Sequence, residues 1–328
     1  AEAFAPRAQA IPVPLRPLSR FLLSAAWTTV REAQRWKPEI VLAGSGVTAP
    51  MALCAARYCG ARAVAYTHGL DLAAAHPIYR AAWLPCFKWL DGVIANSRAT
   101  AGLARALGVR DERLQIVPPG VEIPILDAGA RARFRSTHRL GNRPVMLSVG
   151  RLTTRKGLLE FVRDVLPRIT ADRPDTRLVV IGDAPTDSLH AKVQTPEMIR
   201  AAALERGVAD NVLFLGRRFG RDLADAYEAA DVHVFPVRAI PNDPEGFGMV
   251  AIEAAAHGLP TVAYASGGVV DAVAPGESGL LVDIGDTAGF ATSVMRLLDA
   301  RPDVEAIRRF AEGFSWDKFG RAIRESLA

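Results

Sequence analysis

The chain is poor in the features that would mark a membrane, secreted or metal-binding protein. No uninterrupted apolar run reaches the length of a membrane span, and no secretory signal opens the sequence. The three cysteines, Cys54, Cys59 and Cys86, are odd in number and lack metal-ligand spacing. This argues against a zinc site and fits buried free thiols in a reducing cytosol. No Asp-x-Asp metal motif forms at Asp91 or Asp243, and the GxxxxGK[ST] phosphate loop is absent. No short tandem repeat appears. Glycine is missing until Gly44, and the opening residues hold at most a weak strand near Ile11–Leu15. The strand, Gly-rich turn and helix that usually open a nucleotide-binding domain are therefore not visible, and the first βαβ unit is expected to be missing.

What is present is an ordinary globular composition, 50% hydrophobic and 23% charged, on a length that suits two cores better than one. The charge is uneven. Residues 1–123 hold 14 Lys and Arg against 8 Asp and Glu, whereas the remainder holds 26 against 27. A basic face in the first part would favour an anionic partner such as a phospholipid surface or a phosphorylated acceptor; a scattered solvated surface fits the count equally well.

Short apolar runs alternate with helical stretches, a rhythm that predicts parallel sheets covered by helices on both faces. In the first part the expected strands are Ile40–Ala43, Ala61–Tyr66, Gly92–Ala95 and Leu114–Val117. Helices are expected near Leu18–Trp36, Thr48–Tyr58, Ile78–Leu90 and Arg98–Leu107. Pro118-Pro119-Gly120 breaks the series, and the stretch to about Arg143, rich in Arg, Ala and Gly, has no strong period. A second series follows at Val145–Val149, Leu178–Ile181, Val212–Leu215, Val232–Phe235, Thr261–Ala263 and Gly279–Val282. Phe314–Leu327 reads as an amphipathic helix, with Phe314, Trp316, Phe319 and Ile323 at helical spacing. The expected domains are 1–123 and 124–313, with the helix at 314–328 crossing back to the first.

The special residues fall just after expected strands: His68, Asn96, Ser97, Gly150, Gly182, Gly216 and Pro236. In open α/β sheets, ligands bind beyond the carboxyl ends of the strands. In Val149-Gly150-Arg151-Leu152-Thr153-Thr154-Arg155-Lys156-Gly157 a strand ends and a helix begins, with two cations, Arg151 and Lys156, five residues apart. A planar guanidinium and a mobile ammonium could neutralise a diphosphate without a divalent ion; a solvated turn has the same spacing.

The richest stretch is Pro244 to Gly258. Gly246 and Gly248 open a helix of small and apolar residues, and Gly258 closes it. Glu253 lies deep in that helix, where an unpaired carboxylate is costly. It is either a ligand for hydroxyls or half of a salt bridge, and Glu245 on the preceding loop is open to the same two readings. Amides at Phe247, Gly248 and Met249 would be free to bind an anion or a sugar hydroxyl. His257, near a helix end, reads as a dipole or packing partner, and His190 carries no functional signal. His76–Leu90, with Trp83, Phe87 and Trp89 beside Arg80 and Lys88, reads either as a membrane-facing amphipathic helix or as core.

Taken in order, these motifs resemble the retaining family-4 glycosyltransferases of GT-B fold. The resemblance is carried by the E-x7-E pair Glu245 and Glu253, by Ser148–Gly157, and by His68-Gly69-Leu70-Asp71 and Ala95-Asn96-Ser97. Val117-Pro118-Pro119-Gly120-Val121, Val212–Gly216 and the Ser266-Gly267-Gly268 turn ahead of Glu277–Val282 extend it. It runs from about Ile40 to the C-terminus. It implies an α/β fold of two Rossmann-like domains whose parallel sheets face a central cleft, here with the first βαβ unit of the N-terminal domain missing.

By position, the resemblance implies that Arg151 and Lys156 hold the donor diphosphate beside Gly150, and that Glu253 bonds the ribose hydroxyls. It places Glu245 on the donor sugar, with Gly246 and the amides of Phe247, Gly248 and Met249 beside it. Gly182 and Gly216 would line the base pocket, and His68 would sit near the reacting sugar. His68, Arg151, Lys156 and Glu245 are thus the expected catalytic set.

The implied donors are GDP-mannose or a UDP-hexose and the acceptor a glycan or glycolipid, as in lipopolysaccharide or exopolysaccharide synthesis. No cofactor, metal or nucleic acid is expected. The implied location is the cytoplasm, with peripheral contact at the anionic inner face of the membrane as a further expectation. Same-face attack, with the leaving diphosphate taking the proton, fits better than a covalent intermediate, since no carboxylate pair stands at a recognisable nucleophile spacing. A sugar-nucleotide epimerase and a binding protein without turnover are the alternatives.

Overall fold

The computed structural model describes residues 9–185, 192–300 and 302–328. His190 lies outside the described residues. The chain separates into two compact units, with the main passage between Ile116 and Val117; Asn96–Thr100 group with the second unit and Ser326–Ala328 with the first.

Among the described residues the first unit holds four strands, β1 (Ile40–Ala43), β2 (Arg62–Thr67), β3 (Gly92–Ala95) and β4 (Leu114–Ile116). All pair in parallel in the order β1-β2-β3-β4, without a reversal of direction. The interior is built largely of alanine, with Leu72, Leu84, Phe87 and Leu90 as its larger members. Small side chains let the helix Ala49–Cys59 lie close to the sheet, and Gly60, at φ +77°, turns the chain out of it. No strand forms at Ile11–Leu15.

The segment expected as one helix over Ile78–Leu90 is instead a π-helical turn at Tyr79–Trp83 followed by a 3-10 stretch at Leu84–Trp89. Pro85 prevents a regular helix from running through. Phe87 is buried and Trp83 Nε1 donates to Val47 O at 2.9 Å, so of the three aromatics only Trp89 is exposed. Core packing, rather than a membrane face, accounts for most of this aromatic content. The thiols also divide: Cys86 is buried and its pKa is pushed up to about 11 by burial, whereas Cys54 is exposed.

The second unit holds β5 (Val145–Val149), β6 (Arg177–Ile181), β7 (Val212–Gly216), β8 (Val232–Phe235), β9 (Thr261–Tyr264) and β10 (Gly279–Val282). They form one parallel sheet in the order β10-β9-β8-β5-β6-β7. The chain thus starts in the middle, winds outward through β6 and β7, and returns to lay β8, β9 and β10 on the other side. Side chains alternate between two apolar layers. Met146, Leu178, Val180, Val232 and Val234 face one, and Val145, Leu147, Val179 and Ile181 face the other. This two-sided burial explains why the strands are continuous apolar runs.

A helix over Ala130–Thr137 lies in the stretch without a period. Arginines dock it: Arg133 pairs with Asp225 at 2.6 Å, and Arg131 and Arg135 both reach Asp231, at 2.7 and 2.8 Å. The C-terminal helix begins at Trp316, two residues later than expected, after a break at Gly313 that follows the helix Val304–Glu312. Phe314 sits in that break and packs on Phe247 and Phe310.

Candidate functional site

Winding reverses between β5 and β8, and the crevice at such a reversal is where open α/β sheets bind ligands. The loops after both strands meet there through their backbones. Gly157, at φ +70°, lies so near the β8 loop that a Cβ would stand 2.0 Å from Pro236 O. One strand over, a Cβ on Gly182 (φ +140°) would stand 1.8 Å from Gly150 O. Gly150 N donates to Ile181 O and Gly182 N to Gly216 O, both at 2.9 Å. The expected donor-loop glycines Gly150, Gly182 and Gly216 are therefore laced into one rim. Gly182 and Gly216 also border a cavity of about 390 Å³, with Thr195, Glu197, Arg200 and Phe214 in its wall. Arg200 lies over the Phe214 ring at 4.6 Å.

The β5 loop brings its cations to Glu245. Lys156 Nζ donates to Glu245 Oε2 at 2.9 Å and sits 4.7 Å above the Phe235 ring at the end of β8. Burial pushes the Glu245 carboxyl up, but Lys156 and Arg155 outweigh it and hold the group below its ordinary range. Burial lowers the Lys156 ammonium, against the pull of Glu245. Arg151 is exposed, and its charge also acts on Glu245.

Arg155 is a further member of the site, unmarked by any motif. It is buried, lies 3.2 Å from Glu245 Oε2 and donates to Pro244 O at 2.9 Å. Arg155 thus anchors the Glu245 loop through both a carboxylate and a carbonyl. Its only sequence signal is its place beside Lys156, where burial, not spacing, separates the anchor from the exposed cation.

Glu245, Gly246, Phe247 and Gly248 are all buried. The Ser266-Gly267-Gly268 turn fixes their path. Gly268 N donates to Glu245 O at 2.8 Å, and a Cβ on Gly268 would stand 2.0 Å from Gly246 O. The Phe247 side chain turns into a core with Val121, Phe235 and Ile252. Gly248, at φ +101°, then starts the helix Met249–Ala256. Among the described residues no protein acceptor takes the amides of Gly246, Phe247, Gly248 or Met249. Four open donors on a largely buried loop, at a helix start and beside a cationic cluster, form a site for an anion.

Four residues into that helix, Glu253 is half-buried, and burial raises its carboxyl above the ordinary range. Its partner is not a cation but Tyr227, whose Oη donates to Glu253 Oε2 at 3.0 Å. His257 packs flat on Tyr227, as a packing partner should.

His68 follows β2 in the first unit and is exposed. Its Nε2 donates to Gly44 O at 3.0 Å, which fixes the orientation of the ring. His68 N donates to Asp71 Oδ1, and Gly46 N donates to Asp71 Oδ2. Asp71 therefore ties the loops after β1 and β2 together and fixes the backbone at His68.

Two family profiles match this chain. One described as Glycosyltransferase Family 4 spans residues 2–123, and one described as Glycosyl transferases group 1 spans residues 143–300. The D-inositol 3-phosphate glycosyltransferase of Acidothermus cellulolyticus is 38% identical over 73% of this chain and 54% of its own length. The GDP-mannose-dependent alpha-(1-6)-phosphatidylinositol monomannoside mannosyltransferase of Mycobacterium tuberculosis is 34% identical over 83% of this chain and 69% of its own length. The chain thus spans about half to two thirds of the length of the curated relatives it matches. Among solved structures, Anabaena Alr3699/HepE in complex with UDP superposes with a TM-score of 0.77 at 21% identity, over 92% of this chain and 81% of that one. Sucrose-phosphate synthase from Thermosynechococcus elongatus superposes with a TM-score of 0.72 at 24% identity, over 97% of this chain and 82% of that one. With two parallel α/β units and these relatives, the chain belongs to glycosyltransferase family 4, of GT-B fold.

Proposed function

We propose that the second unit binds the diphosphate of a sugar nucleotide and that the protein transfers the sugar with retention and without a metal ion. The open amides of Gly246–Met249, buried beside Lys156 and Arg151 at the winding reversal, carry this reading. Hydrogen-bond donors and cations fixed around a leaving diphosphate stabilise the charge that develops as the glycosyl bond breaks. They need no reorganisation and take the place of a divalent ion. Glu245, held by Lys156 and Arg155, is assigned to the sugar hydroxyls, Glu253 to the ribose, and His68 to the reacting sugar. Same-face attack by an acceptor hydroxyl, with the departing phosphate accepting the proton, asks of the protein mainly positioning.

The donor is assigned as GDP-mannose or a UDP-hexose. The names of the relatives favour an inositol phosphate or a phosphatidylinositol mannoside as acceptor. A thermal-shift panel of GDP-mannose, GDP, UDP-glucose and UDP tests the first half, since a ligand that binds only the folded state raises Tm. Incubating the stabilising donor with inositol phosphate and glycolipid acceptors tests the second. Isomerised donor without acceptor would make the protein an epimerase, and binding without turnover across acceptors would make it a binding protein.

Two expected outcomes bear on the mechanism. Arg151→Ala removes an exposed cation, so Tm stays unchanged while kcat/KM falls about 30- to 1,000-fold. Near wild-type kcat/KM would remove Arg151 from the diphosphate site. Transfer activity persists in excess EDTA; loss with rescue by Mg²⁺ or Mn²⁺ would overturn the metal-free mechanism.

A further inference from the structure

Glu253 has an unusual environment for a carboxylate that must receive a ligand. It is half-buried, and no Lys, Arg or His is paired with it among the ion pairs of the described residues. What holds it is a neutral hydroxyl, Tyr227 Oη, at 3.0 Å. Tyr227 is 2% exposed, so it has no solvent alternative for that hydrogen bond.

Tyr227 is itself braced. Its ring stacks on His257, with centroids 5.2 Å apart and planes 16° from parallel. His257 Nδ1 donates to Glu228 Oε1 at 3.1 Å, and Asp127 N donates to Glu228 Oε2 at 2.9 Å. The four side chains are two pairs. Glu253 and His257 lie one turn apart at the same helix end, and Tyr227 and Glu228 are neighbours on the helix Gly220–Ala229. The carboxylate's hydrogen-bond partner is thus a buried neutral hydroxyl, braced by a half-buried histidine and glutamate, while the Lys156 charge acts on it without an ion pair.

We propose that Tyr227 is a positioning residue for nucleotide recognition: its hydroxyl fixes the rotation of the Glu253 carboxylate so that the remaining lone pairs meet both ribose hydroxyls, with His257 and Glu228 holding the ring in place. A carboxylate oxygen accepts two hydrogen bonds, so Oε2 can take Tyr227 and one hydroxyl while Oε1 takes the other. A neutral donor suits the task, because a cation at that place would compete with the ribose for the charge and weaken the new bonds. The proposal rests on the assignment of Glu253 to the ribose.

The test is calorimetric binding of GDP and UDP, and of their 2′,3′-dideoxy forms, to the wild type, Tyr227→Phe and Glu253→Gln. Tyr227→Phe keeps the stacked ring and removes only the donor. It is expected to weaken the ribonucleotide about five- to tenfold and the dideoxynucleotide less than twofold. An equal loss on both ligands, or no loss on either, would overturn the positioning role; a general loss of folded protein cancels in the ratio of the two ligands. Glu253→Gln separates the two claims. If it weakens the ribonucleotide selectively while Tyr227→Phe does not, the ribose assignment stands and the positioning role fails. If Glu253→Gln shows no preference between the ligands, the ribose assignment fails and takes the proposal with it.

Discussion

Replacing Lys156 by Met is expected to lower kcat/KM about 10²- to 10³-fold and to destabilise the second unit by about 1–3 kcal/mol. Both effects come from one contact. Lys156 Nζ is bonded to Glu245 Oε2 in a place where its side chain is only 16% exposed. Methionine keeps the stem and the packing on Phe235 but removes the charge, so a buried carboxylate loses its nearest cation. The stability loss stays moderate because Arg155 remains 3.2 Å from the same oxygen. The activity loss is larger because Arg155 is occupied by Pro244 O and Glu245 and cannot replace the ammonium at the diphosphate. The double variant Lys156→Met/Glu245→Gln separates the two effects. Removing the stranded carboxylate charge should recover at least half of the lost stability and none of the activity. Recovery of activity would mean that Lys156 serves only to neutralise Glu245. Chemical denaturation and steady-state kinetics on the three proteins decide the matter.

The second large effect is expected from Gly268→Ala, a change of one methyl group in a turn. Gly268 has no positive φ, so alanine can adopt its backbone without strain. The obstacle is space: the new Cβ would stand 2.0 Å from Gly246 O and 2.7 Å from Phe247 Cα. Those are backbone atoms of the loop that carries Glu245 and the open amides, and no side-chain rotation can relieve the contact. The turn and the loop must separate by about 1 Å or more, at a cost of about 3 kcal/mol. In a unit of this size Tm should fall by about 6–12 °C. Nucleoside diphosphate affinity should drop at least about tenfold, because the amides move with the loop. Gly320→Ala is the control. It lies within the helix Trp316–Leu327, where the nearest atom to a Cβ is a flexible Arg324 nitrogen at 3.8 Å, and it should be neutral or slightly stabilising. If Gly268→Ala behaves like Gly320→Ala, the turn does not hold the loop.

Much of the second unit was legible in the sequence because its strands are buried on both faces. Val145–Val149, Val232–Phe235 and Gly279–Val282 match their apolar runs residue for residue. The helix Ala130–Thr137 was hidden for the opposite reason. Apart from Phe134, it is tied to its neighbours by arginine–aspartate pairs, and a search for apolar periodicity passes over them. The spacing of Trp83, Phe87 and Trp89 fitted a helix, but spacing could not reveal that the chain tightens around Pro85 and sends Phe87 inward. At the site, the E-x7-E pair, the two cations and the glycines were visible as local motifs. The partners that give them their chemistry were not. Arg155 stood unremarked beside Lys156, and Tyr227 stands 26 residues before Glu253, a separation that only the tertiary fold closes.

The contact of carbonyl oxygens with glycine Cα atoms at Gly157, Gly182 and Gly268 has a consequence at the level of the gene. Glycine is the one residue encoded by GGN, and any change in the first or second base of that codon specifies a stop or an amino acid that carries a Cβ. At these three codons every missense change therefore drives an atom into a neighbouring backbone, whichever residue results. At these three positions the site has no intermediate substitutions through which it could drift by small steps. Sequence change around the ligand must instead enter where the rim is open, as at Gly216, where a Cβ would meet no atom within 4 Å and only the backbone angle resists.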